Sequence, residues 1–389
     1  MNPTTTREYI RSTPLEVAAG WVYGSLPEVQ WPTGTATPRE ALDDALRPAL
    51  ESPPCYVLFS GGRDSSAVLA AATALAQREG HAPPVPVTRV HPLVAETRED
   101  EWQQLVIGHL GLTEWVRLEY RHGETDLLGE PARSSLQRHG VLWPPALHTM
   151  AGTFSSLSPG SLLTGEGGDA VLGPHRVTPL TALRRGRRPS APLLSLAAQS
   201  IAPGPVRRLL RRRAMVRSGE RSWLTKDALH EHRRLGAADE SAEPLAFDAA
   251  LAHLAGRRFL RVVTHNQAVA AAEHGLRSSE PLLDAGFLSA LARAGGRWGF
   301  TGRTAAMRAL FSDVLPDAVL ARATKASFNQ AYIGEQTRAF ARDWDGTGVD
   351  PDLVDVAHLR DSWLSEEPTM ATGQLLHEAW LASERGPRP

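Results

Sequence analysis

The chain reads as an α/β protein built on a parallel sheet, with a helical part toward its C-terminus. Three observations predict this. Apolar runs alternate with helical-period segments between residues 55 and 164. A helix separates successive strands, which is the pattern of parallel strands covered on both faces. Two of the runs end in glycine turns that carry acids, Ser60-Gly61-Gly62-Arg63-Asp64-Ser65 and Gly165-Glu166-Gly167-Gly168-Asp169.

In chain order, residues 1–36 show no clear period and are expected to be irregular. Thr37-Pro38-Arg39-Glu40 has the form of a capping box with proline at the first helical position. Ala41, Leu42, Ala45 and Leu46 give that helix one apolar face. Tyr56–Phe59 reads as the first strand, and Ala67, Val68, Leu69, Ala72, Leu75 and Ala76 as the buried face of the helix after it. Val85–Val90 is the second strand. Glu99–Leu110 is a helix, with Trp102, Leu105, Val106, His109 and Leu110 as its expected buried stripe. Trp115–Leu118 is a third strand, Leu147–Ser156 a helix and Ser161–Thr164 a fourth strand. Residues 246–340 read as mostly helical, and the tail 341–389 as irregular with one helix near Thr372–Ser383. No internal repeat is visible.

Composition sets limits. The formal net charge is −1, so nothing global attracts nucleic acid or an anionic membrane. The single cysteine, Cys55, excludes a disulfide framework and a multi-cysteine metal site, and its strand position predicts a buried, inert thiol. No signal peptide or long apolar span is evident, so the expectation is a cytoplasmic protein. Of 42 basic residues only Lys226 and Lys325 are lysines. A lysine kept in so arginine-biased a chain can mark a place that needs a compact ammonium. Residues 174–245 form an arginine-rich insert. It reads as a surface for an acidic peptide, RNA or phosphorylated substrate, or as a solvated helical insert. The second reading is favoured because aromatic stacking residues are absent from 174–222.

The first glycine turn carries the chemistry. Glycines let the backbone approach a ligand closely, and the following helix start offers free N–H groups to a phosphate. Ser60 and Ser65 add hydroxyls, and Asp64 a hard oxygen ligand for Mg²⁺. An ordinary turn with a capped helix is the plain alternative. The second turn places Asp169 where it could share Mg²⁺ with Asp64.

The hexapeptide resembles the pyrophosphate loop of the ATP pyrophosphatase superfamily, which has the adenine nucleotide α-hydrolase-like fold. With Asp169 105 positions after Asp64, Glu280-Pro281-Leu282-Leu283-Asp284, and then Arg322, Lys325 and Phe328, the chain over residues 37–340 resembles the synthetase domain of asparagine synthetases. The β-lactam synthetases and lasso-peptide cyclases are relatives of that family. Glu99–Gly111, with Glu101-Trp102-Gln103 and His109-Leu110-Gly111, resembles the lasso cyclases more than the primary asparagine synthetases.

The resemblance implies an ATP-dependent, AMP-forming ligase that uses ATP and Mg²⁺. Its substrates would be a small-molecule or peptide carboxylate, activated as an acyl-adenylate, and ammonia or an amine, on another molecule or on the same one. It implies that Ser60, Gly61, Gly62 and Ser65 hold pyrophosphate, and that Asp64 and Asp169 bind the metal. Phe59, Val90 and Gly165 would meet adenosine. Lys325 would neutralise transition-state charge, and Glu166 would take the amine proton. Ala170 departs from the family, where a second acid is usual. Residue 2 is Asn, where the family's glutaminase has its catalytic cysteine, so glutamine hydrolysis is not expected of this chain. The nitrogen would come from free ammonia, a partner subunit or an amine on the substrate, and a partner protein or leader-binding protein could accompany the chain. Two rival classes remain: a tRNA-modifying pyrophosphatase-type enzyme, against which the missing cysteine pairs argue, and a non-catalytic nucleotide-binding scaffold.

Overall fold

The structure is a computed structural model that describes residues 8–27, 31–121, 123–217, 221–324, 326 and 328–385. At its centre is a five-stranded parallel sheet: β1 (Cys55–Leu58), β2 (Val85–Val90), β3 (Val116–Glu119), β4 (Gly160–Leu163) and β5 (Leu276–Ser279), in the order β3-β2-β1-β4-β5. Tyr56 pairs with Val85 on one side and with Leu162 on the other, so β1 and β4 are direct neighbours. Helices cover both faces, which is why the central strand β1, Cys55-Tyr56-Val57-Leu58, is apolar along its whole length.

Four of the five strands were expected. The fifth lies in the stretch read as helical. Leu276-Arg277-Ser278-Ser279 is a short edge strand with one fully buried residue, and only its pairing with β4 defines it.

Before the sheet run two helices, α1 (Pro14–Ala19) and α2 (Pro38–Leu50). In α2 the predicted capping box closes: Glu40 N–H donates to the Thr37 hydroxyl, and Thr37 N–H to the Glu40 carboxylate at 2.8 Å. The Thr37 N–H and the Thr37 hydroxyl, which both donate to the Glu40 carboxylate, stabilise its charged form and lower its pKa. Leu42, Leu46 and Leu50 of α2 then pack against α3 (Arg63–Glu79) in the main core. Leu46 is fully buried, and its truncation to Ala costs about 2–5 kcal/mol.

The N-terminal segment is less irregular than its sequence suggested. Helix α1 has its own capping box, Thr13 with Glu16. At six residues it is too short to show a period. Val17, Ala18 and Ala19 pack with Trp344, Trp363, Leu376 and Trp380 in a second core, so the two ends of the chain bury each other. The tail likewise holds two helices, Val356–Leu364 and Gly373–Glu384, where one was expected.

Another correction concerns α4 (Asp100–Leu110). Its buried positions are Gln103 and Val106, whereas Leu105 and His109 face solvent. The helix is rotated so that Gln103 can donate to the Ser60 carbonyl at 3.0 Å. Cys55 is buried as expected, and burial pushes its thiol up to about 12. The insert folds as successive helices, including Ala191–Ile201 and Gly204–Arg217. Among the described residues no helix is long and apolar enough to cross a membrane.

Candidate active site

A cavity of about 640 Å³ opens beyond the carboxyl ends of β1 and β4. Ligands of open parallel sheets bind at such ends. The first glycine turn forms one wall and is organised by its own hydroxyls. Ser65 Oγ donates to the Gly62 carbonyl at 3.1 Å and accepts from Ser60 N–H at 3.3 Å. Gly62 N–H donates to Ser60 Oγ at 3.2 Å. Gly61 has φ +85°, and a Cβ there would lie 2.9 Å from Gln103 Cγ, so both conformation and space demand glycine. At the N-cap of α3, Gly62 offers no side chain to the first helical turn. Its N–H groups are thus available for an anion.

The second turn packs directly on the first. A Cβ at Gly165 would stand 2.7 Å from Ser65 N, and one at Gly168 would stand 2.4 Å from Asp64 Cγ. These glycines allow two strand ends to touch backbone to side chain.

Asp64 and Asp169 converge on one cation, the guanidinium of Arg303. Arg303 Nη2 donates to both Asp64 carboxylate oxygens, at 2.7 and 2.6 Å, and Nη1 donates to Asp169. Sequence reasoning missed Arg303. One signal was present: it is the first residue of a helix (Arg303–Phe311), where the helix dipole disfavours a cation. Arginine there needs an outside anion, and two carboxylates supply it.

The donor set suits Mg²⁺. Two hard carboxylates meet at one point, and among the described residues no cluster of three His, Cys, Asp or Glu could hold a metal. Mg²⁺ commonly takes one or two protein carboxylates together with substrate phosphates and water.

A second arginine stands on the opposite side of the loop. Arg322 is buried against Glu99, donates to the Gly61 carbonyl at 3.0 Å, and lies over Trp102 with 4.7 Å from its guanidinium carbon to the ring. Ala326 N–H donates to Glu99 at 3.0 Å. This network ties the segment around 322–328 to the glycine turn. Lys325 lies outside the described residues; Arg322, Ala323, Thr324, Ala326 and Phe328 around it line the cavity.

The other expected residues divide into two sets. Ser60, Gly62, Asp64, Ser65, Gly165, Glu166 and Asp169 line the cavity. Gly61 is held behind it by Arg322. Phe59 and Val90 are not among the lining residues. Phe59 is buried, and both its backbone groups are engaged: its N–H donates to Val87 and its carbonyl accepts from Thr88 Oγ1.

The Glu280–Asp284 run also acquires roles. Asp284 caps the next helix, accepting from Gly286 N–H at 2.8 Å and Phe287 N–H at 3.1 Å. Glu280 is a half-buried acid beside Glu166. Its carboxyl is pushed up to about 7, mostly by burial and further by Glu166, against a lowering bond from Ser278.

A parallel sheet with two touching glycine turns and acids gathered beyond its strand ends has the architecture of the ATP-pyrophosphatase-like folds. The family model for asparagine synthase matches residues 37–381, and the chain belongs to that family. The match extends past residue 340 into the tail that shares the second core. No curated protein matches the chain. Membership makes it, at the level of the family, an ATP-dependent amide-forming ligase.

Proposed function

We propose that the chain activates a substrate carboxylate as an acyl-adenylate and transfers the acyl group to ammonia or an amine. The observation that carries this reading is the convergence of Asp64 and Asp169 on one cation beside a helix start with free N–H groups. A carboxylate oxygen attacks the α-phosphorus of ATP, and the bond to the β-phosphate bridge breaks. Pyrophosphate leaves against Ser60, Gly61, Gly62, Ser65 and the amides of α3. Mg²⁺ held by Asp64 and Asp169 would supply charge neutralisation on the phosphates. The amine then attacks the acyl carbon, AMP departs, and Glu166 takes a proton. Lys325 neutralises the charge of both transition states, and Gly165 borders the adenosine. Holding both reactants in one cavity supplies much of the acceleration.

ATP–pyrophosphate exchange tests the reading directly. Exchange dependent on Mg²⁺ and a carboxylate supports it. Exchange that requires RNA favours a tRNA-modifying enzyme, and ATP binding without exchange for any carboxylate favours a scaffold. Lys325→Met should bind ATP and form no product; a fully active variant removes that lysine from the mechanism.

A further inference from the structure

A second cavity of about 500 Å³ adjoins the first, and Leu260 lines both. Its walls are apolar: Leu26, Trp31, Ala255, Leu260, Leu283 and Leu288. Its polar end lies beside the reaction site. The pairing of Leu163 with Ser279 brings the ends of β4 and β5 level, so the half-buried Glu280 comes up beside Glu166 of the second glycine turn. Glu280 lines the second cavity and Glu166 the first. A polar thread joins the two chambers: Gln267 Nε2, on the first cavity, donates to Ser278 Oγ at 3.3 Å, and Ser278 Oγ donates to Glu280 at 3.0 Å.

The charges around this end favour a cation. Glu166 comes from the second glycine turn, Asp284 from the turn after β5, and Arg261 from the helix Arg258–Ala272. The second cavity itself is lined by two acids, Glu280 and Asp284, and one base, Arg261, while Glu166 shares the first cavity with Arg63, Arg303 and Arg322. Among the described residues Glu280 has no ion-pair partner. Chambers of a few hundred Å³ with apolar walls and a few convergent polar groups are typical of small-molecule sites. Ammonia, about the size of a water at ~30 Å³, would leave such a chamber almost wholly unfilled.

We propose that the second cavity is the amine site, and that the acceptor is a primary amine on an apolar body, its ammonium held between Glu280 and Glu166. The inference rests on the amide-ligase reading. The ammonium gives one proton to Glu280. The freed lone pair attacks the acyl carbon, the bond from that carbon to the AMP oxygen breaks, and AMP leaves as its anion. The second proton passes from nitrogen to Glu166. A carboxylate that titrates near neutrality matches this work, being able both to take the proton and to release it.

Calorimetric titration of the full chain at pH 8 with hexylammonium, ammonium and hexanoate salts tests the site, with ATP binding followed in parallel. Hexylammonium should bind saturably, ammonium at least tenfold more weakly, and hexanoate not at all. Glu280→Gln should weaken hexylammonium at least tenfold with ATP binding unchanged. Ala255→Trp, which fills the chamber from its wall, should do the same. Equal binding of ammonium, tighter binding of hexanoate (an acid drawn to Arg261), or no hexylammonium binding by a chain that binds ATP would each overturn the proposal. Pyrophosphate exchange separates the two ideas. Active exchange without hexylammonium binding removes the amine chamber alone, whereas binding without exchange for any carboxylate removes the ligase reading.

Discussion

Two arginine–carboxylate clusters flank the same glycine turn, and they are built for different work. Arg322 and Glu99 are 4% and 5% exposed, with the guanidinium backed by Trp102 and the carboxylate further satisfied by Ala326 N–H. Arg303 is 18% exposed and joins a largely covered Asp64, 16% exposed, to an Asp169 that is 53% exposed, at the edge of an open cavity. A buried pair with every partner in place resists exchange, because removing one member strands the other charge. A pair at a wet cavity edge is screened and contributes little. The first cluster is thus a fixed part of the loop's framework. In the second, a guanidinium occupies the focus of the two carboxylates that the proposed function assigns to Mg²⁺.

The largest expected effect breaks the second cluster from its acid side. Asp64→Ala should abolish Mg²⁺-dependent pyrophosphate exchange, and retained turnover would sink the metal assignment. On the framework side, Arg322→Met should cost about 3–5 kcal/mol in chemical denaturation, the penalty of stranding Glu99 in the interior. Combining it with Glu99→Leu should recover most of that loss. A double variant no more stable than the single one would show that Arg322 acts through Gly61 or Trp102 instead.

Smaller shifts sharpen the contrast. Arg303→Ala should cost less stability than Arg322→Met, because one of its two carboxylates is half exposed. It should also lower the Mg²⁺ concentration giving half-maximal ATP binding, since a competing cation is gone. An unchanged Mg²⁺ requirement would mean that Arg303 and the metal do not share the two carboxylates. The least expected effect is the titration of Glu280. Its folded-state pKa of about 7 lies above the ordinary 4.5, so the folded chain holds this proton more tightly than the unfolded one. Its contribution to stability is then fully present below about 4.5 and is lost as pH rises through about 7. Glu280→Gln should flatten the stability profile in that window, and an unaltered profile would place the titration elsewhere.

How much of this was legible beforehand follows the range of the interactions. The Thr37–Glu40 box, the strand before Ser60 and the turn itself are set by neighbours a few positions apart, and each formed where its residues indicated. Helix α4 kept its place but not its face, since the Ser60 carbonyl, 43 positions before Gln103, decided the rotation. Strand β5 has too little apolar pattern to announce itself, and it exists because β4 offers an edge.

The site divides in the same way. By itself the sequence determined the two glycine turns, their acids and the family, because backbone conformation and capping are encoded in consecutive residues. Only the tertiary structure decided that Arg303, 239 positions from Asp64, sits between the acids, and that Arg322, 261 positions from Gly61, holds the loop. It also decided that Glu280 rises beside Glu166. Such contacts depend on how parallel strands and their crossovers bring distant chain ends to one edge of the sheet, and no local pattern records which residues will meet there.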